Sequence, residues 1–514
     1  MHSSLIRGKY VICKVLNRTD VEIIEDGAIF QQNGKIVEIG KYADLIEKYQ
    51  PDRILGSSED VVLPGLVNCH HHVGLTPFQL GSPDYPLELW FASRLAARNV
   101  DLYLDTLYSA FEMIESGVTT VQHIHGWRPG PASTWLGIAE QVLQAYHDVG
   151  MRSSYCFAVR DQNHFVYEAN EEFVKKLPAD IAPEIAAILK AQEVPLQDYL
   201  DFFEHLWQKW DRNADGRIRI QLAPANLHWC SDEALEKLQA YSLKYDVGMH
   251  MHLLETAYQK VYAQNRTGKT AVRHLHDLGI LGSHLTLGHG VWLTEDDIDL
   301  VAESGTMICH NASSNLRLQS GIAPLNHYVK RGVTVGMGLD EAGINDDRDM
   351  LQEMRLVLKL HRVPGMDELV PTSPQVFQMA TEHGAKTTGF AHEIGTLEVG
   401  KAADIVMMNW QHIAYPYLDR AIPILDAVLH RSRTSGVETV IVAGEVIYKE
   451  GKFTKVDKAE ALEELANSLK VPLTPAEERR CVLAQAVFPY VKQFYDGWLD
   501  HSHCDPFYCQ NARH

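Results

Sequence analysis

Between Pro64 and Ile394 the chain alternates short apolar runs with longer amphipathic stretches, and this alternation restricts the fold more than any other feature. The apolar runs include GVTTVQHIH, RIRIQLAPA, DVGMHMHLL, HLTLGHGV and GVTVGMGLD. Repeated strand–helix units are typical of a parallel sheet covered by helices. Over about 330 residues they predict an α/β fold built on a closed (β/α)8 barrel with insertions.

The two ends of the chain have a different pattern. Residues 1–60 and 394–455 both read as short strands joined by turns, for example in IGTLEVGKAADIVMMN and VETVIVAGEVIYKEGK. We therefore predict that 1–60 and 394–455 form the two halves of a small β-sandwich, with a barrel at 61–393 inserted between them. Residues 456–514 are predicted to form a helical C-terminal extension and tail.

Composition excludes several classes of partner. The 514 residues include 47 Lys and Arg against 67 Asp and Glu, a formal net charge of -20, which argues against binding to nucleic acid or anionic membranes. No apolar run has the length of a membrane span, and the first residues lack a signal-peptide core. The eight cysteines are scattered, as expected of reduced thiols. We expect a cytoplasmic protein that acts on a small molecule.

The segment PGLVNCHHHVG contains a candidate metal-binding pair. The apolar run 61–68 predicts a buried strand, and alternation along it places His70 and His72 on one face and His71 on the other. Two imidazoles on one face can bind a single metal ion. The H-x-H pattern is short and common, however, and it also fits a core histidine beside a surface one.

Polar residues follow four later strand-like runs. Each has a structural alternative: a cap or packing role for His250 or His252, a core histidine at His289, and a helix N-cap at Asp340. Together they predict an active site, because the chemistry of such barrels lies at the carboxyl ends of the strands. These residues are His250, His252, Glu255, His289, His310, Asn311 and Asp340.

The order PG-x4-H-x-H, H-x2-E, a strand-end His, HN-x3-N and a strand-end Asp resembles the amidohydrolase superfamily. Within it, the chain resembles the branch of triazine hydrolases, methylthioadenosine/S-adenosylhomocysteine deaminases and guanine deaminases. IGTLEVGKAADIVMMN and VIVAGEVIYKEGK resemble the C-terminal sandwich segments of that branch, and TPFQLGSPDYPLELWFASR its substrate-side loop. The resemblance extends over almost the whole chain.

This resemblance implies one divalent metal ion held by four ligands. Three imidazoles and one carboxylate suit zinc, although iron, cobalt or manganese would also fit. In binuclear relatives a carboxylated lysine bridges two ions, and RIRIQLAPA contains no lysine, which favours one ion. The implied ligands are His70, His72, His252 and Asp340.

The resemblance also implies a mechanism, in which a metal-bound hydroxide attacks a carbon that bears nitrogen. Asp340 would accept the first proton, His289 would hold the water or polarise the carbon, and Glu255 would carry a proton to the departing nitrogen. The first hypothesis is an aminohydrolase of an aminated heterocycle or amidine-like compound. An amide, urea or carbamate hydrolase is the alternative, and a non-catalytic scaffold is a remote one. The resemblance further implies that this protein forms a homo-oligomer, as its relatives commonly do.

Two features depart from the pattern. Ala225 stands where nucleoside-deaminating relatives carry a histidine, which argues against adenosine-type substrates. Asp340 is followed by an acidic turn, DEAGINDD, which would either contact a cationic substrate or form a solvated turn.

Further side chains near predicted strand ends are candidates for substrate contact. Tryptophans there would suit a flat substrate, although each also fits a position in the core. Of the two histidines in VQHIH, one also fits a packing role. The candidates are Trp90, His123, His125, Trp229, Asn311 and Glu341.

The tail residues His501, His503, Cys504 and Cys509 lack a known structural-zinc spacing, and we expect a flexible or subunit-contacting tail.

Overall fold

Three β-sheets contain the named strands of the computed structural model, which describes residues 3–126, 131–212, 216–364, 366 and 370–500. The tail with its histidines and cysteines lies outside these residues. The strands are β1 Ser3–Val15, β2 Val21–Gln32, β3 Lys35–Lys41, β4 Arg53–Gly56, β5 Asp60–Pro64, β6 Leu66–His71, β7 Val118–His125, β8 Arg152–Val159, β9 Ile218–Ile220, β10 Ala223–Pro224, β11 Met249–Leu253, β12 Leu285–His289, β13 Met307–His310, β14 Val335–Met337, β15 Ile405–Asn409, β16 Val437–Val442, β17 Glu445–Lys449 and β18 Lys452–Phe453.

Helices connect and cover these strands. None of the helices within the described residues is both long enough and apolar enough to cross a lipid bilayer. The helices are α1 Tyr42–Lys48, α2 Leu87–Ser93, α3 Leu102–Glu115, α4 Trp135–Val149, α5 Asn170–Val174, α6 Ala182–Lys190, α7 Leu196–Trp210, α8 Asp232–Tyr245, α9 Ala257–Thr267, α10 Ala271–Asp277, α11 Glu295–Ser304, α12 Ala312–Arg317, α13 Leu325–Lys330, α14 Met350–Leu360, α15 Ser373–Met379, α16 Glu382–Thr387, α17 Trp410–Ala414, α18 Ile424–Arg431, α19 Lys458–Ser468 and α20 Pro475–Phe494.

Both ends of the chain contribute to one sheet of nine strands, which we call the terminal sheet. Its order is β18-β17-β16-β15-β5-β1-β2-β3, with β4 paired to β1. The antiparallel pairing of β5 with β15 joins the two ends, and Val62 lies opposite Met407 there. Side chains such as Ile6, Val11 and Ile441 are fully buried in one apolar cluster at this sheet. A two-layered sandwich arrangement stays a prediction.

The strands between the chain ends form two parallel sheets. One contains β10, β8, β7 and β6 with β9 on β8, and the other contains β11 to β14 in sequence order. Isolated parallel bridges connect the two sheets at both edges, Leu222 to Met249 and His71 to Asp340. At the second edge the Asp340 N–H donates to the His70 carbonyl at 2.8 Å. The architecture is therefore mixed α/β, with parallel strands where the strand–helix pattern predicts them.

The apolar run 61–68, which we predicted as one strand, is divided between two sheets. β5 belongs to the terminal sheet and β6 to a parallel sheet, and Gly65 lies between them. A Cβ atom on Gly65 would lie 2.1 Å from Thr119 Oγ1, so only glycine permits this close approach to β7. The first histidine-bearing strand thus begins directly beside the terminal sheet.

The C-terminal extension is helical over α19 and α20, as its pattern predicts. Helix α20 packs against α2 and the 3-10 turn Arg94–Ala96. Aromatic rings make part of this contact: Phe488 lies 5.1 Å from Tyr85, and Tyr495 lies 5.2 Å from Tyr167, between ring centroids. The extension therefore supports the segment that follows the first parallel strand.

A buried ion pair ties a parallel sheet to the terminal sheet. Arg152 on β8 donates through Nε to Asp404 Oδ2 at 2.6 Å and through Nη2 to Asp404 Oδ1 at 3.1 Å. Asp404 Oδ1 also accepts the Ala443 N–H at 2.8 Å. Both charged side chains are almost fully buried. Each charge is therefore stabilised by the other in place of water.

Substituting Asp404→Asn should destabilise the protein, because Arg152 would then be buried opposite a neutral group. We expect a lower midpoint of urea unfolding, corresponding to a loss of about 3–5 kcal/mol. The matched control is Asp26→Asn, which removes an ion pair with Arg7 at 27% and 57% side-chain exposure. That substitution should cost less than about 1 kcal/mol. Equal effects of the two substitutions would contradict the importance of burial.

Candidate metal centre

Four side chains from three separate strand ends meet at one point of the structure. His70 and His72 come from the end of β6, His252 from β11, and Asp340 from the segment after β14. The His72 Nε2 atom lies 3.0 Å from His70 Nε2, 3.1 Å from His252 Nε2 and 3.2 Å from Asp340 Oδ1. The structure thus brings together the four residues predicted as metal ligands.

The hydrogen bonds of two imidazoles define their tautomers. His72 Nδ1 lies 2.6 Å from the Ile124 carbonyl oxygen, and His252 Nδ1 lies 2.9 Å from that of Ala225. Because a carbonyl can only accept, both Nδ1 atoms carry hydrogen, and in the neutral rings both Nε2 atoms present lone pairs. These lone pairs face each other beside a carboxylate, an arrangement that only a proton or a cation stabilises. The donor set therefore fits a divalent metal ion.

Two overlapping groups of donors are compact enough to share an ion. The ligand atoms of His70, His72 and His252 lie within 4.8 Å of one another, and so do those of His70, His289 and Asp340. His289 and Asp340 also adopt left-handed backbone conformations, with φ of 71° and 55°. Such conformations are costly in residues other than glycine and concentrate at functional sites.

A second layer of contacts orients these side chains. His250 Nε2 lies 2.8 Å from His70 Nδ1, Asn315 Oδ1 lies 2.9 Å from His289 Nδ1, and Ser314 Oγ donates to Asp340 Oδ2 at 2.6 Å. Sequence reasoning gave Ser314 no role and left His250 between a cap and a packing residue. The signal for His250 was present, because alternation along β11 places it on the same face as His252.

The two acidic groups of the site have opposite electrostatic environments. Burial, and next the charge of Asp340, raise the pKa of Glu255 well above its usual range. Burial also disfavours charge on Asp340, but the hydrogen bond and charge of His72 outweigh it and hold the Asp340 pKa below its usual range. His289 lies between them, its Nε2 atom 3.6 Å from Glu255 Oε2 and 3.7 Å from Asp340 Oδ2. This separation suits one proton donor and one proton acceptor.

A cleft of about 650 Å³, including its open mouth, lies over these groups. Trp90, Trp229 and Glu341 line it, and their contact with substrate stays a prediction. Sequence reasoning missed other residues of the lining, among them Phe91, Arg94 and Arg160. Phe91 packs edge-on against Trp229 with ring centroids 5.0 Å apart, so the aromatic wall is continuous.

The other three substrate-contact candidates lie away from this lining. His123 Nδ1 is 2.9 Å from the Tyr146 hydroxyl, and the His125 ring stacks on Phe157 with centroids 5.4 Å apart. Asn311 Nδ2 lies 3.4 Å from His289 Nδ1. These contacts fit packing and support of the site, and substrate contact by the three residues stays a prediction.

The acidic turn after Asp340 is held by ion pairs with arginine. Asp346 Oδ1 accepts from Arg317 Nη2 at 2.8 Å, and Glu341 Oε1 accepts from Arg94 Nη1 at 2.6 Å. Asp346 Oδ2 also accepts from Thr76 Oγ1 at 2.9 Å. These contacts hold the turn in place, and contact of its carboxylates with substrate stays a prediction.

Known proteins share this architecture. The model of the amidohydrolase family matches residues 61–447. The chain is 27% identical over 467 residues to 5-methylthioadenosine/S-adenosylhomocysteine deaminase of Thermodesulfovibrio yellowstonii, which covers 89% of this chain and 96% of that protein.

Solved structures show the same fold. A triazine hydrolase from Arthrobacter aurescens superposes with a TM-score of 0.79 at 21% identity, over 92% of this chain and 100% of that chain. An adenosine deaminase from Xanthomonas campestris with bound zinc gives 0.76 at 22% identity, over 94% and 99%. Since the family model spans well over half of the sequence and includes every strand that positions a ligand candidate, the chain belongs to the amidohydrolase family.

Proposed function

We propose that this protein is an aminohydrolase that releases ammonia from an aminated heterocycle at a single divalent metal ion. The convergence of three imidazoles and the Asp340 carboxylate beside buried Glu255 carries this proposal. The aromatic cleft above them favours a flat substrate. The names of similar deaminases support the same reaction class.

The proposed scaffold is a (β/α)8 barrel. The hydrogen bonds that connect the two parallel sheets at both edges support closure, and the similar solved structures are of the amidohydrolase type. The terminal sheet would form the attached sandwich. In this arrangement all ligand candidates lie at the carboxyl ends of barrel strands, where such enzymes place their chemistry.

His70, His72, His252 and Asp340 would hold the ion, and zinc suits this donor set. The similar adenosine deaminase with bound zinc supports that choice. When bound, the ion supplies a water molecule acidic enough to act as nucleophile near neutral pH.

The protein's own groups would then move the protons. Asp340, ionised and fixed by Ser314, accepts the first proton from the attacking water. His289, whose pKa burial keeps low, is neutral; because its Nδ1–H faces Asn315 Oδ1, its Nε2 atom accepts a hydrogen bond from the attacking water and holds it in place. Glu255, held protonated by burial, delivers a proton to the departing nitrogen, so that water adds to carbon as ammonia leaves.

The first prediction concerns the reaction class. Zinc-loaded protein should release ammonia from at least one of the aminopurines, aminopyrimidines, pterins, triazines or guanidines. Anilides, phenylureas and carbamates, followed in parallel by amine product, test the amide and urea alternative. Amine without ammonia would move the protein to that alternative, and no product from any class would refute the proposed substrate range.

The second prediction concerns Glu255. Glu255→Gln keeps the side-chain volume but cannot carry the proton, so kcat for ammonia release should fall by about 10²–10⁴-fold. Zinc content, measured by elemental analysis, should stay unchanged. The control is Glu445→Gln, which removes an ion pair with Arg217 outside the cleft. Wild-type turnover by Glu255→Gln, or loss of zinc from it, would argue against the proposed role.

The third prediction concerns His250, which we propose orients a ligand without binding the ion. His250→Leu keeps bulk but removes the nitrogen 2.8 Å from His70 Nδ1. Its zinc dissociation constant should rise by about 10–100-fold, measured by competition with a chelator. His252→Leu should lose stoichiometric zinc altogether. Unchanged zinc affinity in His250→Leu would mean that this contact does not orient the site.

A further inference from the structure

Arg160 is a charged residue in the cleft for which the proposed reaction has no use. It follows directly after β8, and its guanidinium carbon lies 3.6 Å from the ring centroid of Trp229 and 5.6 Å from that of Phe91. A guanidinium stacked on an aromatic face is held in one plane, while its edge remains free to donate hydrogen bonds. Arg160 is therefore a positioned cation beside the proposed substrate.

Within the described part of the chain, the Arg160 side chain has no hydrogen bond or ion pair. Its Nε atom is buried without an acceptor. Arginine carries five N–H donors, and buried donors are normally satisfied. The neighbouring carboxylate does not fill this need: Asp161 accepts the Ser231 N–H at 2.8 Å and binds the Ser231 hydroxyl, and it makes no hydrogen bond to Arg160.

The second arginine of the cleft has a different environment. Arg94 lies over Trp90 at 4.6 Å and is paired with Glu341 at 2.6 Å. Burial, and next the charge of Arg94, lower the pKa of Arg160 to about 9, so Arg160 stays protonated at neutral pH. A chain with a formal net charge of -20 has carboxylates in excess, yet within the described residues none is placed against Arg160.

We propose that Arg160 binds a carboxylate carried by the substrate, so that the enzyme prefers acidic aminoheterocycles to neutral ones. This inference rests on the proposed function, because it assumes that the cleft holds an aminated ring. The ring would lie against the aromatic wall, and its carboxylate would accept two parallel N–H bonds from the guanidinium edge. Arg160 would thus determine specificity, while the metal ligands and Glu255 would perform the reaction.

The test measures binding separately from turnover. Zinc-loaded protein is titrated calorimetrically with aminopyridine- and aminopyrimidine-carboxylic acids whose amino and carboxyl groups lie on opposite sides of the ring. Each acid is compared with its own carboxamide, which has the same shape without the charge. At least one acid should bind about ten- to a hundredfold more tightly than its carboxamide, as expected for a hydrogen-bonded charge pair.

Arg160→Gln should bring this acid-to-amide ratio close to one. The matched control is Arg7→Gln, because Arg7 also lies over an aromatic ring, Tyr42 at 4.0 Å, but belongs to the terminal sheet. That variant should keep the wild-type ratio, and circular dichroism should show that both variants are folded.

Three outcomes would overturn the proposal. They are no binding by any acid, equal binding of acids and amides by the wild type, and an acid preference that persists in Arg160→Gln. The last outcome would place the carboxylate on the metal ion. Because the titration needs no turnover, an acid preference without ammonia release would refute the reaction and leave the carboxylate site intact.

Discussion

The structure depends on electrostatic repulsion between the lone pairs of imidazole nitrogens and a carboxylate at its centre. The Nε2 atoms of His72 and His252, whose lone pairs face each other in the neutral rings, lie 3.1 Å apart. The Asp340 Oδ1 atom lies 3.2 Å from His72 Nε2. The backbone enforces this arrangement, since carbonyl groups of Ile124 and Ala225 fix the rings through their other nitrogens. An unoccupied centre of this kind repels itself, so a cation stabilises the folded strands as well as supplying chemistry.

The same centre shifts the pKa values of two carboxyl groups in opposite directions. Asp340 has His72 and Ser314 as partners and favours the ionised form. Among the described residues, a serine hydroxyl lies 3.3 Å from one Glu255 oxygen and His289 lies 3.6 Å from the other, and Glu255 favours the neutral form. Neighbours within one site thus give two carboxyl groups opposite protonation preferences, which the proposed hydrolysis of a carbon–nitrogen bond would use.

The sequence predicted parallel strands between the chain ends and polar residues at their carboxyl ends, because these depend on local pattern, whereas the set of four metal-ligand candidates came from the family resemblance. The period of two along a strand is enough to place His70 beside His72, and apolar runs are enough to place Asp340 at a strand end. It could not predict that the run around Gly65 divides between two sheets, because that depends on the approach of Thr119. The sequence also could not show that Arg160 lacks a partner among the described residues. That depends on the fold, in which Asp161 binds Ser231 and Glu341 binds Arg94.

The terminal sheet also has a consequence for the order of assembly. During synthesis β5 leaves the ribosome early, but its antiparallel partner β15 follows only after all the strands of the two parallel sheets. One edge of the N-terminal strands therefore stays unpaired in the nascent chain, and exposed edges of this kind invite contact with other chains. Since β6 begins immediately after β5, the segment that carries His70 and His72 gains its full set of strand contacts only after β15 has been synthesised.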